Sequence, residues 1–282
     1  MHDGTGARLS TTADRARPLP TTSVVIPVKD DAALLALCLD ALARQSLPAD
    51  EIIVVDNGSS DDSAAIARAA GARVIDCAEP GIGAAAATGY DAARFDVILR
   101  LDADCVPEAE WIAEVVSAFA GATGVAAFTG RAHFTDGPPA LRAPLASLYL
   151  GAYTAITGLT LGHRPLFGSN LAFRRDAWLA VRDEVHRGDP EVHDDLDLSF
   201  HLGESHSIRL LPGASMGMSM RPFTAGRFGR RVHRGFRSVL VHWPRDFPPL
   251  RWTRLIAQRT RRRPISDHAP GVHSPVGKRP SR

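Results

Sequence analysis

Two aspartates separated by one residue follow a short apolar run in the first half of the chain. Asp102 and Asp104 come after segment 97–101, which has the composition of a strand buried on both faces. If the backbone stays extended, both carboxylates point to the same side. They would repel each other unless a cation lay beside them, and hard divalent cations prefer carboxylate oxygens. The spacing predicts a divalent-metal site that would clamp a diphosphate, although an isolated pair of this kind is also typical of a solvated acidic turn.

The elements that must position this pair alternate between apolar runs and helical patterns. The predicted strands cover residues 23–28, 51–56, 72–76 and 97–101. This alternation favours a parallel α/β sheet with right-handed crossovers. Because the carboxyl ends of parallel strands share one edge, we expect Asp56 to lie near Asp102 and Asp104.

Composition limits the class of protein. The 282 residues are 45% hydrophobic and 23% charged, as in ordinary globular proteins, and allow one large or two small domains. The net charge of +2 conceals an asymmetry, because 16 of the 33 Lys and Arg but only 2 of the 31 acids lie from Arg221 onward. That end of the chain should favour an anionic partner. No zinc spacing or aromatic platform indicates nucleic-acid binding.

Cysteines and apolar runs suggest where the protein works. Cys38, Cys77 and Cys105 lack metal-ligand spacing, so we expect buried free thiols in a reducing compartment. Residues 1–20 read as a disordered leader without a secretory signal, which favours a cytoplasmic protein. The apolar region 141–161 predicts a core helix; the alternatives are a wall of an acceptor site and a surface that touches lipid.

Three short motifs occur in an order that suggests a family. The chain reads VVIPV at 24–28, VDNGSSD at 55–61 and LDAD at 101–104. Together they resemble the nucleotide-binding half of family-2 inverting glycosyltransferases, and the resemblance continues to about residue 237. It implies the GT-A fold: a Rossmann-like, mainly parallel α/β sheet flanked by helices, with acceptor-side elements in the second half.

The resemblance assigns the donor residues. Asp56 would accept a hydrogen bond from the base of a nucleotide, usually uracil. The backbone of Pro27, Val28 and Lys29 would line the same pocket.

The resemblance also assigns the metal ligands. Asp104 would bind Mn²⁺ or Mg²⁺ directly, and Asp102 would bind the ribose or join the metal shell. The family often has an Arg-Asn pair after the third strand, where this chain has Ala86 and Ala87, so a phosphate or sugar contact is missing. Whether Arg100 replaces that contact stays open.

Acidic residues in the second half resemble the family's Glu-Asp motif. Asp194 takes the place of the glutamate, and Asp195 matches the general base that deprotonates the acceptor. A helix dipole alone would also favour acids at this position. Asn170, in a Gly-Ser-Asn stretch, would bind a sugar hydroxyl or close a turn. His193 and His201 read as ordinary hydrogen-bonded histidines, with a role in the metal shell as the alternative.

The segment 227–237 is rich in arginine and resembles the basic loop or helix that closes over the diphosphate. Arg231 and Arg234 are the predicted donor contacts, because guanidinium groups bind phosphate oxygens bidentately. A solvated or membrane-facing basic surface is the alternative. The Q-x-x-R-W motif of processive relatives is absent, which favours transfer of a single sugar.

These observations predict a metal-dependent inverting glycosyltransferase. It would move one sugar from a nucleoside-diphosphate donor, usually UDP-linked, to a hydroxyl of a glycan, lipid or small molecule. A non-catalytic nucleotide-sugar-binding relative is one alternative. A membrane-associated transferase with a polyprenyl phosphate acceptor, peripheral at an anionic inner membrane face, is another. The predicted domain covers residues 21–243, divided at 107/108, and precedes a basic, Pro-rich, partly disordered tail at 244–282.

Overall fold

A computed structural model describes residues 18–221 and 227–261 of the chain. Its strands are β1 (Thr22–Val28), β2 (Glu51–Asp56), β3 (Arg73–Asp76), β4 (Val97–Arg100), β5 (Val106–Pro107), β6 (Ala127–Phe134), β7 (Leu171–Arg174) and β8 (Ile208–Met218). Its helices are α1 (Ala32–Ala43), α2 (Ser63–Ala69), α3 (Ile82–Ala92), α4 (Trp111–Gly121), α5 (Pro139–Leu161), α6 (Arg175–Val181), α7 (Asp194–Ser205), α8 (Arg227–Leu240) and α9 (Pro248–Arg261). The predicted leader lies mostly outside the described residues, as does the tail beyond residue 261.

The strands form one mixed sheet with the order β3-β2-β1-β4-β7-β6-β8-β5. β1 to β4 are mutually parallel, which confirms the predicted alternation, whereas β7 pairs antiparallel with both β4 and β6. In this register Val28 lies beside Asp56, and Val25 lies beside Arg100. The strand ends that carry the predicted donor residues therefore share one edge of the sheet.

Buried apolar side chains form a cluster on each face of this sheet, and the two clusters take alternate residues of the same strands. This is typical of parallel strands that helices cover on both sides. The alanine-rich helix α3 lies close against β1 and β2. A Cβ on Gly89 would lie 2.3 Å from a methyl of Val25 and 3.0 Å from one of Val55. Glycine is therefore required for this approach of helix to sheet.

Two strands have features that follow from their neighbours in the sheet. β1 continues in register through Pro27 to Val28. Proline is tolerated there because β4 pairs with β1 only as far as Val25. β8 pairs with β6 over most of its length, and β5 joins it only at Met216 and Gly217, so residues 208–211 lie at an edge among the described strands.

Two helical segments differ from expectation. The prediction of a core helix at 141–161 is wrong, because only Ala146 and Leu161 of α5 are buried. The helix is apolar on most of its circumference, so its pattern does not show which side faces solvent. Residues 248–261 were assigned to the tail but form α9, whose Arg251 and Leu255 are buried.

Candidate active site

Asp102 follows β4 and is held from two directions. Its Oδ1 lies 2.9 Å from Nη2 of Arg100, and its Oδ2 accepts a 2.7 Å hydrogen bond from the Ser169 hydroxyl. Because both oxygens have partners, the carboxylate has a fixed orientation at the sheet edge.

Asp104 lies close to Asp102 and contacts a residue that is distant in sequence. Its Oδ2 is 2.9 Å from Nη2 of Arg221, which also pairs with Asp31. Burial and the neighbouring Asp102 charge raise the pKa of the Asp104 carboxyl, and Arg221 opposes that shift. A divalent cation would likewise stabilise the charged carboxylate. One ligand atom each from Asp102, Asp104 and Cys105 lies within 4.8 Å of the others, so the carboxylates fit a hard divalent ion.

Arg100 lies beneath the acid pair. It is 1% exposed, and its Nη2 also lies 3.3 Å from Oδ2 of Asp194 on α7. Although burial opposes its charge, the Asp102 and Asp194 carboxylates keep the pKa of Arg100 above its ordinary value. Arg100 therefore joins two carboxylates below the surface.

Asp195 begins the first turn of α7 and is 8% exposed. Its Oδ2 accepts a 2.8 Å hydrogen bond from the backbone N–H of Gly168, and the Tyr153 hydroxyl lies 3.4 Å from the same oxygen. Oδ1 accepts from the N–H of Leu196 at 2.8 Å. These donors orient the carboxylate toward the turn that precedes β7.

That turn brings the two acidic elements together. Gly168 holds Asp195, and the next residue, Ser169, holds Asp102. A Cβ on Gly168 would lie 2.0 Å from Nη1 of Arg100, so only glycine fits this position without a shift of Arg100. Asp102 and Asp195 are thus held by two consecutive residues of one turn.

The residues expected at the nucleotide base lie at the same sheet edge. Asp56 is partly exposed and accepts a 2.9 Å hydrogen bond from the N–H of Ser59. β1 carries Pro27 and Val28 alongside it, and Lys29 follows in solvent. The structure therefore groups the four residues.

The two predicted arginines of α8 have different surroundings. The Arg231 guanidinium carbon lies 5.9 Å from the ring centroid of Tyr149. Burial lowers the pKa of Arg231, but Tyr149 and the carboxylates of Asp195 and Asp102 raise it overall, so Arg231 faces the acidic site. Arg234 instead pairs with Glu191 at 3.1 Å.

Asn170 and the two histidines are engaged elsewhere. Asn170 is 2% exposed; its Oδ1 accepts from Trp111 and its Nδ2 donates to two backbone carbonyls. Because its amide group is already engaged, these contacts favour the alternative that Asn170 closes a buried turn over the predicted hydrogen bond to a sugar hydroxyl. His193 contacts the Arg231 carbonyl at 3.0 Å, and His201 faces Asp197.

Comparison with known proteins identifies the family. The model of glycosyl transferase family 2 matches residues 23–180, which is more than half of the chain. The chain belongs to glycosyl transferase family 2. This finding confirms the predicted family and the assignment as a glycosyltransferase, and the structure has the GT-A fold of such enzymes.

Curated relatives of this glycosyltransferase match less than half of its length. Glycosyltransferase AglE of Haloferax volcanii is 36% identical over 125 residues, which are 42% of this chain and 41% of that protein. Undecaprenyl-phosphate 4-deoxy-4-formamido-L-arabinose transferase of Pseudomonas fluorescens is 36% identical over 110 residues, or 36% and 32% of the two chains. The matched part of the chain therefore spans well under half the length of these relatives.

Solved structures share the fold of this glycosyltransferase over more of its length. Glucosyl-3-phosphoglycerate synthase from Mycobacterium tuberculosis, in complex with Mn²⁺, UDP-glucose and phosphoglyceric acid, aligns with a TM-score of 0.53 at 20% identity. That alignment covers 76% of this chain and 79% of the other. Mannosyltransferase PcManGT from Pyrobaculum calidifontis, in complex with GDP-Man and Mn²⁺, has a TM-score of 0.60 at 18% identity and covers 86% and 70%.

Three residues of the glycosyltransferase site were not predicted from sequence. Tyr153 contacts Asp195, Ser169 holds Asp102, and Arg221 pairs with Asp104. Ser169 stands in the Gly-Ser-Asn stretch, which was a usable signal, whereas the other two contacts depend on how distant segments meet.

Among the described residues, no helix is long and apolar enough to cross a membrane.

Proposed function

We propose that this glycosyltransferase moves a single sugar from a nucleoside-diphosphate donor, UDP-linked in the first instance, to an acceptor hydroxyl with inversion. One observation carries the proposal. Gly168 and Ser169 are adjacent, and they hold Asp195 and Asp102 through hydrogen bonds of 2.8 and 2.7 Å. A general base and a diphosphate clamp that are both anchored on this turn would lie close to one donor sugar, and positioning of this kind supplies much of the rate.

The donor would lie along the carboxyl edge of the sheet. Asp56 would accept from the base, with Pro27, Val28 and Lys29 lining the pocket. Asp104 and Asp102 would hold Mn²⁺ or Mg²⁺, which when bound would offset charge on the leaving diphosphate. The two solved relatives described above hold Mn²⁺ with UDP-glucose or GDP-Man, which supports this choice of ion and ligand class.

Asp195 would act as the general base. Its carboxylate would take the proton of the acceptor hydroxyl as the acceptor oxygen attacks the anomeric carbon. The bond from that carbon to the diphosphate oxygen breaks, and its electron pair leaves with the nucleoside diphosphate. Attack from the face opposite the leaving group inverts the anomeric centre. Asp194 would hold Arg100 and hence Asp102, and Arg231 would bind the diphosphate.

The Asp195→Asn variant tests the base. We expect it to lose sugar transfer while binding nucleotide and Mn²⁺ as the wild type does, since Asp195 is not among the residues that would hold the nucleotide or the ion, and the asparagine oxygen can still accept from the Gly168 N–H. Asp183→Asn, on an exposed side chain, is the matched control. Nucleotide release from UDP-sugars with a panel of acceptors is the assay. Full turnover in Asp195→Asn would refute the assignment, and no turnover in the wild type would favour the non-catalytic alternative.

A lipid-linked acceptor is the second candidate, and one surface favours it. α5 and α9 are joined by a hydrogen bond from Trp252 Nε1 to the Leu159 carbonyl, and both helices expose large apolar side chains. Leu148, Ile156 and Ile256 are 70%, 68% and 62% exposed. Isolated apolar side chains are ordinary on surfaces, whereas several exposed apolar side chains on two packed helices are typical of an interaction site.

Cosedimentation with vesicles that contain anionic phospholipid tests this candidate. The wild type should sediment, and a Leu148→Glu/Ile156→Glu variant should stay in solution because charges are costly at the acyl boundary. Leu37→Glu changes a side chain of α1 that is 55% exposed and should leave binding unchanged. Absence of binding at low salt would refute a membrane-bound acceptor.

A further inference from the structure

Three histidines and one aspartate meet on the side of α7 that faces away from Asp195. We name this group the His₃Asp cluster; its members are His186, Asp197, His201 and His242. One ligand atom from each lies within 4.8 Å of the others. Asp195 and Asp197 are two residues apart on a helix and therefore differ in direction by about 200°. The cluster is thus separate from the acid pair that would bind the donor.

Three imidazole nitrogens crowd one carboxylate oxygen in the cluster. Oδ1 of Asp197 lies 2.7 Å from Nδ1 of His186, 3.4 Å from Nε2 of His201 and 3.0 Å from Nε2 of His242. A carboxylate oxygen has lone-pair sites for about two hydrogen bonds. The Nε2 atoms of His201 and His242 are buried and lack a hydrogen-bond partner of acceptable geometry among the described residues.

The opposite ring nitrogen defines the tautomer of His242. Its Nδ1 lies 2.7 Å from the Ser238 carbonyl, an acceptor only, so Nδ1 carries the proton. In a neutral ring Nε2 of His242 then presents a lone pair toward the Asp197 oxygen 3.0 Å away, and two lone pairs repel unless a cation lies between them. Nδ1 of His201 has an acceptor of its own in a carboxylate oxygen of Glu184 at 3.4 Å, which leaves its Nε2 available to a cation. Metal-bound histidines have this arrangement, because their second N–H commonly donates to a carbonyl or carboxylate.

We propose that the His₃Asp cluster binds one zinc ion as a closed structural site. Zinc favours four ligands in a tetrahedron with bonds of about 2.1 Å, which puts neighbouring ligand atoms roughly 3.4 Å apart. The spacings around Asp197 approach this value, and three nitrogens with one oxygen form a suitable ligand set. Asp197 and His201 are only 5% and 9% exposed as side chains, whereas His186 at 34% leaves a route for the ion.

The ion would connect elements that carry the site. Asp197 and His201 belong to α7, which begins with Asp194 and Asp195. His242 follows α8, which carries Arg231, and its ring stacks on Phe200 with centroids 3.9 Å apart. Zinc would therefore fix the end of α8 to α7 and keep Arg231 over the acidic site. Asp197 and His201, at i and i+4 on one helix, are the only pair of the four with a recognisable ligand spacing in sequence.

Cobalt(II) substitution of the full-length protein tests the proposal. After removal of metal with a chelator, one equivalent of Co²⁺ should give the strong visible absorption of a tetrahedral ion, without the thiolate-to-metal band of cysteine ligation. Zinc should displace it with a stoichiometry of one. At a free concentration of 100 times Kd, zinc should raise the Tm by roughly 5–10 °C.

Matched variants separate this site from the donor site. Asp102→Asn/Asp104→Asn should keep the cobalt spectrum, as should His233→Ala, which removes an exposed histidine of α8. His201→Ala/His242→Ala should lose both the spectrum and the rise in Tm. If wild-type protein gives only the weak absorption of an octahedral ion, the cluster is a hydrogen-bonded group of imidazoles and the proposal fails. A spectrum that survives His201→Ala/His242→Ala also refutes it, and the wild-type result decides even if that variant does not fold.

Discussion

Replacing Arg100 by methionine removes the buried cation that joins the two acidic elements of the site. The guanidinium is 1% exposed and lies 2.9 Å from Asp102 and 3.3 Å from Asp194. Methionine fills much of the space but leaves two carboxylates without their partner. Removing one member of a buried ion pair costs about 3–5 kcal/mol. For a domain of this size, that loss corresponds to a fall in Tm of roughly 6–20 °C.

The pH dependence of the loss follows from burial of the remaining carboxyl group. Burial raises the pKa of Asp194, and Arg100 opposes that shift in the wild type. Without Arg100 the folded protein binds a proton at Asp194 more readily than the unfolded chain does. Stability therefore recovers as the pH falls through the raised pKa of the folded state. The difference in Tm between variant and wild type should shrink when the pH is lowered from 7 to 5.

Differential scanning calorimetry at both pH values measures these effects. Arg100→Met/Asp194→Asn should recover part of the stability at pH 7, because the second substitution removes the uncompensated charge. Arg94→Met, on an exposed side chain next to the same strand, should change stability by no more than about 0.5 kcal/mol. An Arg100→Met protein whose Tm lies within about 2 °C of the wild type would contradict the role of Arg100 as a buried counter-ion. A Tm difference that grows as the pH falls would contradict the assignment of the loss to a buried Asp194 carboxylate.

Three further predictions concern helix docking, the turn before β7 and α8. Arg251→Met should lower the free energy of unfolding, measured by urea denaturation, by about 3 kcal/mol, because the buried guanidinium contacts Asp246 and the Leu161 and Phe200 carbonyls. A loss below about 1 kcal/mol would contradict the docking of α9 through this side chain. Gly168→Ala should slow transfer about 100-fold by displacing Arg100 and Asp195, whereas Gly151→Ala, with nothing within 4 Å of its Cβ, should not. Arg231→Ala should raise the donor KM about 10-fold or more, because it removes one charged hydrogen bond to the diphosphate. Arg234→Ala should raise it less than about 2-fold, because Arg234 pairs with Glu191 instead. Equal effects of the two substitutions would contradict this difference.

Local signals in the sequence were sufficient for the sheet and for the two acidic motifs. The apolar runs before Asp56 and Asp102 have strand length and end in carboxylates, so topology alone places them at one edge. Asp195 could be found because acids at the start of an amphipathic helix follow the Gly-Ser-Asn stretch in the family's order. For Asp56 and Asp102 the signal is the apolar run directly before the side chain, whereas for Asp195 it is the order of motifs along the chain.

Contacts between distant segments could not be predicted in this way. Arg100 forms an ion pair with Asp194, and Asp104 forms one with Arg221, and in both pairs the partners are about a hundred residues apart in sequence. Nothing in the spacing of these residues indicates that they pair. The exposed side of α5 was missed for a related reason, because a helix that is apolar all round does not reveal which neighbours cover it. The two interpretations of Asn170 stayed open because the surroundings of a polar residue, and not its type, decide whether it binds a ligand or closes a buried hydrogen-bond network.

Calorimetric titration with UDP, GDP and TDP, with and without Mn²⁺, tests most directly whether Asp102 and Asp104 form a diphosphate clamp. We expect the wild type to bind one of these nucleotides only when Mn²⁺ is present. We expect Asp104→Asn to abolish this binding while its Tm stays within a few degrees of the wild type. Binding that does not depend on the metal, binding that survives in Asp104→Asn, or no binding of any nucleotide by the wild type with Mn²⁺ would contradict it.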